Sequence, residues 1–154
     1  MKIGFVGLGN VGGKLAGSLL RNNVDLYVRD LNADLVEKFT DIGAKTCINN
    51  RVLMETCDAV ITCLPSPAAS ASVMEDKDGL LEGMSSGKIW MEMSTTDQNE
   101  VKRLGKLIYE KSGSAVDCPV SGGCHRADTG NIAIFAGCER EIFDAILPLL
   151  KKMG

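Results

Sequence analysis

Three glycines, Gly7, Gly9 and Gly12, follow an apolar run that ends in Val6 and open an amphipathic stretch. An acid, Asp30, closes a second apolar run 23 positions after Gly7. That order predicts a dinucleotide site. Gly7 permits a tight turn off a strand, Gly9 lets the backbone approach a pyrophosphate, and Gly12 lets a helix pack close to the sheet. The helix N-terminus adds unpaired N–H groups for the phosphates, and Asp30 would accept from ribose hydroxyls. Glycine-rich turns of this kind also serve flavin, S-adenosylmethionine and purely structural turns, so the motif acquires meaning from its neighbours.

Three further segments carry unusual chemistry: Leu64-Pro65-Ser66-Pro67, Met93-Ser94-Thr95-Thr96, and Asp117-Cys118-Pro119-Val120-Ser121-Gly122-Gly123. Each follows a run that reads as a strand. In open α/β sheets ligands bind outside the carboxyl ends of strands, so the three segments are expected to wall one crevice. Ser121, Gly122 and Gly123 offer a hydroxyl and backbone N–H groups suited to a small carboxylate, or else form an ordinary turn.

The elements that must hold these groups alternate along the chain. Lys2 to Val6 reads as a strand, Val11, Leu15, Leu19 and Leu20 recur at helical spacing, and Asp25 to Arg29 reads as a second strand. Helix is expected over Ala33 to Thr40, Asn50 to Glu55, Ala68 to Asp76, Asp97 to Glu110 and Glu139 to Lys151, the last with acids at its start and lysines at its end. Strands are expected at Thr46 and Cys47, Ala59 to Cys63, Lys88 to Met93, Ser114 to Asp117 and Asn131 to Phe135. A βαβ series throughout predicts a Rossmann-type α/β fold, a doubly wound and mostly parallel sheet.

The length of 154 residues suits one domain, so residues 1–154 are read as a single dinucleotide-binding domain. Hydrophobic content of 45% with 24% charged residues is that of a globular protein, and 17 glycines exceed the usual share of about 7%. A net charge of −3, scattered basic residues and seven aromatics argue against nucleic acid as a partner. No apolar run approaches the length of a membrane span and no signal peptide is evident, which predicts no membrane partner and a cytoplasmic address. The six cysteines lack CxxC spacing. Cys124 beside His125 has no second pair with ligand spacing, so no metal is expected.

Taken together, Gly7-Leu8-Gly9-Asn10-Val11-Gly12, Leu64-Pro65, Ser94-Thr95 and the Asp117 to Gly123 block with Gly130 resemble the β-hydroxyacid dehydrogenases, the family of 3-hydroxyisobutyrate dehydrogenase. The likeness spans the whole chain. It implies that Gly7, Leu8, Gly9, Asn10, Val11 and Gly12 hold the cofactor pyrophosphate, and that Leu64, Pro65 and Thr95 line the nicotinamide side. By the same likeness, Ser121, Gly122 and Gly123 bind the substrate. Three positions depart from the family pattern: Ala69 stands for an asparagine, Glu92 for an aspartate and Arg126 for a glycine. Arg126 could pair with a second carboxylate or phosphate of a larger substrate, or lie at the surface.

The resemblance further implies an oxidoreductase domain that binds NAD for hydride transfer with a small β-hydroxyacid, NADP being disfavoured by Asp30. Members of the family continue into an all-helical domain that supplies a catalytic lysine and builds the dimer. That lysine is expected outside this chain, so the chain alone is expected to be inactive, with no catalytic residue of its own. The alternative is a non-catalytic dinucleotide-binding sensor or a module that regulates a partner.

Overall fold

A computed structural model describes residues 1–154. Its sheet begins with Lys2–Val6 (β1), whose helix Asn10–Arg21 (α1) returns the chain to Asp25–Arg29 (β2). Ala33–Asp41 (α2), Lys45–Thr46 (β3), Asn50–Thr56 (α3) and Ala59–Thr62 (β4) follow. Next come Pro67–Glu75 (α4), Leu80–Gly83 (α5), Ile89–Glu92 (β5), Gln98–Glu110 (α6) and Ser114–Asp117 (β6). Beyond them lie Val120–Ser121 (β7), Gly123–Asp128 (α7), Ala133–Ile134 (β8) and Arg140–Leu150 (α8).

The six main strands are parallel in the order β3-β2-β1-β4-β5-β6. Successive side chains of a strand point to opposite faces, and both faces here are apolar. Ile3, Phe5, Ile61 and Met91 join Leu15 and Leu19 of α1 and Ile146, Leu149 and Leu150 of α8 in one core. Val60 and Trp90 join Leu53, Met74, Leu104 and Ile108 in the other. A strand buried on both sides reads as an apolar run, here Ala59, Val60 and Ile61, closed by the buried Thr62, whose hydroxyl accepts from Trp90 Nε1. The chain order reverses between β1 and β4, so the loops that leave these two strands diverge and open a crevice.

The expected Rossmann-type fold is therefore present, with one correction near the end of the chain. Asn131 to Phe135 does not extend the βαβ series. Only Ala133–Ile134 is strand, and it pairs antiparallel with β7 in a separate two-stranded sheet. The stretch between Ser121 and Ala133 is shorter than the dozen or more residues a parallel crossover needs, so the chain turns back on itself. Smaller differences lie at element ends. Cys63 falls outside β4, β3 is Lys45–Thr46, and Asp97 caps α6 by accepting from the Asn99 and Glu100 amides. The one-turn helix α5 has too short an apolar pattern to be read from sequence. No helix is long and apolar enough to cross a membrane.

Candidate functional site

The turn from β1 into α1 is held by contacts no side chain could share. Gly7 has φ +99°, and a Cβ there would lie 2.2 Å from the Cys63 carbonyl oxygen. A Cβ on Gly12 would lie 2.0 Å from the Gly7 carbonyl oxygen. Both glycines are thus demanded by the protein's own packing. Gly9 differs. Its φ of −68° is open to any residue, and a Cβ there would meet no protein atom within 4 Å. What the missing side chain leaves free is the crevice itself. Gly9 also caps α1 without offering a side-chain acceptor, and the first turn holds no acid, so the positive end of the helix faces the same space. This backbone cradle fits a pyrophosphate.

Asp30 lies at the end of β2 on the wall of the crevice. One carboxylate oxygen accepts from the Leu8 amide at 2.7 Å and the other from the Asn32 amide at 2.8 Å. The acid therefore fixes the glycine turn, and each oxygen has lone pairs left for a hydroxyl. Its neighbour Arg29 is committed elsewhere, donating to the Cys47 carbonyl at 2.6 Å and to Asn50 Oδ1 at 3.0 Å.

On the other side of the switch point, a buried polar network ties two loops together. Glu92, at the end of β5, is fully buried. It accepts from Ser70 Oγ at 2.8 Å, from the Ser94 amide at 2.9 Å and from Ser94 Oγ at 2.5 Å. Ser94 Oγ in turn accepts from the Leu64 amide at 2.7 Å. The carboxyl group thus links α4, the Ser94-Thr95 loop and the Leu64-Pro65 loop. Ser66 caps α4 by accepting from the Ala69 amide, and Pro67 begins the helix. Burial, with the Glu92 carboxyl adding to it, pushes the Cys63 thiol up to about 12, so this crevice cysteine stays protonated at neutral pH and is a poor nucleophile.

These loops enclose one groove of about 990 Å³. Gly7, Gly9, Val11, Gly12, Asp30, Leu64, Pro65 and Thr95 line it. Leu8 points into the core and its amide is spent on Asp30, while Asn10 is exposed outside the lining. Of the 121–123 turn, Gly123 reaches the groove with Val120 and Ile132, and Ser121 and Gly122 lie exposed at its rim. Sequence reasoning missed the far wall, formed by Leu31, Leu35, Asn49 and Asn50 at one end and by Ser72, Val73 and Asp76 of α4 and its C-cap. The exposed Leu31 directly after Asp30 was the available signal, an apolar side chain with no packing reason to be there.

Residues 2–154 match the family described as the NAD binding domain of 6-phosphogluconate dehydrogenase. The chain is 33% identical over 154 residues to 2-(hydroxymethyl)glutarate dehydrogenase of Eubacterium barkeri, covering all of this chain and 51% of that protein. It is 31% identical to mouse mitochondrial 3-hydroxyisobutyrate dehydrogenase, over 99% of this chain and 45% of the relative. The chain thus spans about half the length of the curated relatives it matches. A solved 3-hydroxyisobutyrate dehydrogenase from Salmonella typhimurium superposes with a TM-score of 0.91 at 25% identity, covering 100% of this chain and 54% of that one. A crevice opened by strand order between β1 and β4, and a match that runs from residue 2 to residue 154, place this chain in the family of NAD-binding domains found in 6-phosphogluconate dehydrogenase.

Proposed function

We propose that this chain is the cofactor-binding half of an oxidoreductase that oxidises the hydroxyl of a small β-hydroxyacid such as 3-hydroxyisobutyrate. The observation that carries the reading is the continuity of the groove. One depression joins the Gly9 cradle and Asp30 to Leu64, Pro65 and Thr95 and then to the turn at Val120 and Gly123. A dinucleotide laid along it with its pyrophosphate at Gly9 has its nicotinamide end beside the turn that suits a carboxylate.

In this reading Gly7, Gly9, Val11 and Gly12 cradle the pyrophosphate, and Asp30 accepts from the adenine ribose hydroxyls. Leu64, Pro65 and Thr95 flank the nicotinamide, and the apolar Leu64 and Met93 keep water from the ring. Ser121, Gly122 and Gly123 hold the substrate carboxylate and hydroxyl, fixing the carbinol carbon toward the cofactor. Hydride acceptance is the chemistry that bound NAD supplies. The hydroxyl proton goes to a lysine on a helical domain outside residues 1–154, which also forms the oligomer contacts. Initial NADH formation across several hydroxyacids, by residues 1–154 and by a polypeptide extended through such a domain, tests this. Turnover is expected only in the extended form, and full turnover by residues 1–154 would overturn the divided site.

The same geometry favours NAD over NADP. A 2′-phosphate would meet the Asp30 carboxylate as a like charge, and the adjacent Arg29 is occupied by Cys47 and Asn50. NADH is expected to bind about tenfold or more tightly than NADPH, a difference of about 1.4 kcal/mol. Asp30→Asn should narrow that gap, read by nicotinamide fluorescence at fixed ionic strength. Tighter NADPH binding that survives Asp30→Asn and vanishes with Arg29→Ala would refute the assignment.

A further inference from the structure

One carboxylate in the groove wall has an oxygen to spare. Asp76 caps α4 and lines the groove together with Val73, which lies one helical turn before it. Ser72 Oγ donates to Asp76 Oδ2, so the carboxylate is held in one orientation while Oδ1 has no partner in the chain. The backbone is fixed as well. The Asp76 amide donates to the Ser72 carbonyl at 3.1 Å, and the Asp76 carbonyl accepts from the Gly79 amide at 2.8 Å. Gly79 is wedged in place, since a Cβ there would lie 2.6 Å from the Met74 carbonyl oxygen. A chain of hydrogen bonds then fixes which end of the groove this turn occupies. Arg29, the neighbour of Asp30, donates to Asn50 Oδ1 at 3.0 Å, and the next amide, that of Arg51, donates to the Asp78 carbonyl at 2.8 Å. The turn at residues 76–79 is thus tied to the Asp30 end of the groove. The loops after β2 and β4 bound that end from opposite sides, because both strands flank β1 and stand two strand spacings apart, about 10 Å. Leu31 on one side and Val73 on the other form an apolar slot for a flat ring, with Asp76 at its edge.

We propose that Asp76 reads the base of the dinucleotide: its free oxygen accepts from the exocyclic amine of adenine, so the site selects a 6-aminopurine over a 6-oxopurine. The inference rests on the placing of the adenine ribose at Asp30. With the ribose held there, the glycosidic bond directs the base into the slot between Leu31 and Val73, and the amine lies on the edge of the purine away from the sugar. An ionised carboxylate is an acceptor only. It gains a hydrogen bond from an amine and repels the lone pairs of a carbonyl oxygen at the same position. Lys77, also on this wall, offers the opposite preference, since an ammonium donates to an oxo group. Its side chain is exposed and makes no hydrogen bond or ion pair in the chain, so a bond to the base would replace one to water and cost the ordering of a four-carbon stem. Asp76 is already ordered by Ser72, and its preference prevails.

The test titrates two probes into the chain, NADH and its deaminated form, reduced nicotinamide hypoxanthine dinucleotide, and follows nicotinamide fluorescence. NADH is expected to bind about tenfold more tightly, the low end for a hydrogen bond to a charged group because this edge of the groove faces water. Asp76→Ala should remove the preference by weakening NADH while leaving the deaminated form little changed. Asp76→Asn should bring the two affinities together, since an amide presents either an oxygen or an N–H to the base. The Asp76 side chain is exposed, so both variants should fold, and urea unfolding checks that they do. Equal affinities in the unaltered chain, or a preference that survives Asp76→Ala, would overturn the proposal with the groove still standing. Tighter binding of the deaminated form that vanishes with Lys77→Met would assign the base to Lys77 and overturn it too. If neither dinucleotide binds, the placing of the cofactor is refuted and the proposal with it.

Discussion

Gly9→Ala is expected to leave the stability of the domain unchanged and weaken NADH binding by at least about tenfold, whereas Gly12→Ala is expected to damage the fold itself. The two glycines belong to one motif, yet the physical demand on each is different. At Gly9 the backbone is ordinary and an added methyl would meet no protein atom within 4 Å, so the only thing it can displace is a ligand in the groove. At Gly12 the methyl would sit 2.0 Å from the Gly7 carbonyl oxygen and 3.3 Å from Cys63 Cβ. Backbone cannot yield as a flexible side chain does, so α1 must move away from β1. Alanine in a helix interior is worth about 1 kcal/mol over glycine, and the overlap is expected to outweigh this by costing on the order of 3 kcal/mol. Urea unfolding without cofactor and nicotinamide fluorescence with it separate the two effects. Unchanged NADH affinity in Gly9→Ala would show that the cradle is not where the pyrophosphate lies.

How much of this was legible in the sequence follows from the range of the forces involved. The β1–α1–β2 unit is set by local periodicity and by glycines within one turn of each other, and both are visible along the chain. The strand before Leu64 was equally plain, because it is buried on both faces and begins with the apolar run Ala59, Val60 and Ile61. The Asn131 to Phe135 region misled because an apolar run gives no sign of its partner's direction, and that direction was fixed by the length of the connection back to Val120. The lining of the groove was readable where a motif residue reaches it, as at Gly9 and Asp30. It was not readable at the far wall, where Asn49, Ser72 and Asp76 come into the groove through the packing of α3 and α4, elements distant in sequence from the motif. Nor could spacing alone show that the Leu8 amide is taken by Asp30.

Glu92 was visible only as a departure from a pattern, and its structural position predicts the second large effect. Glu92→Leu is expected to lower stability by about 3 kcal/mol and also to weaken dinucleotide binding, while Glu92→Gln retains most of both. Leucine would leave the Ser94 amide and the Ser70 and Ser94 hydroxyls buried without their acceptor, and each such loss costs about 1–3 kcal/mol when water cannot replace it. Loss of the acceptor also frees Ser94 Oγ, which holds the Leu64 amide, so the disturbance passes to the Leu64-Pro65 wall of the groove. Glutamine keeps the oxygen that Ser94 needs and can donate its amide to Ser70 Oγ, with the roles in that one bond reversed. Glu92→Asp should fall between the two, since a side chain one methylene shorter cannot reach both serines. Hydrogen exchange at the Leu64 amide separates positioning from mere bulk stability. Its protection should fall in Glu92→Leu by more than the global loss of stability explains, and return in Glu92→Gln. Full protection of Leu64 in Glu92→Leu, with NADH affinity unchanged, would show that the carboxyl group does not position this wall.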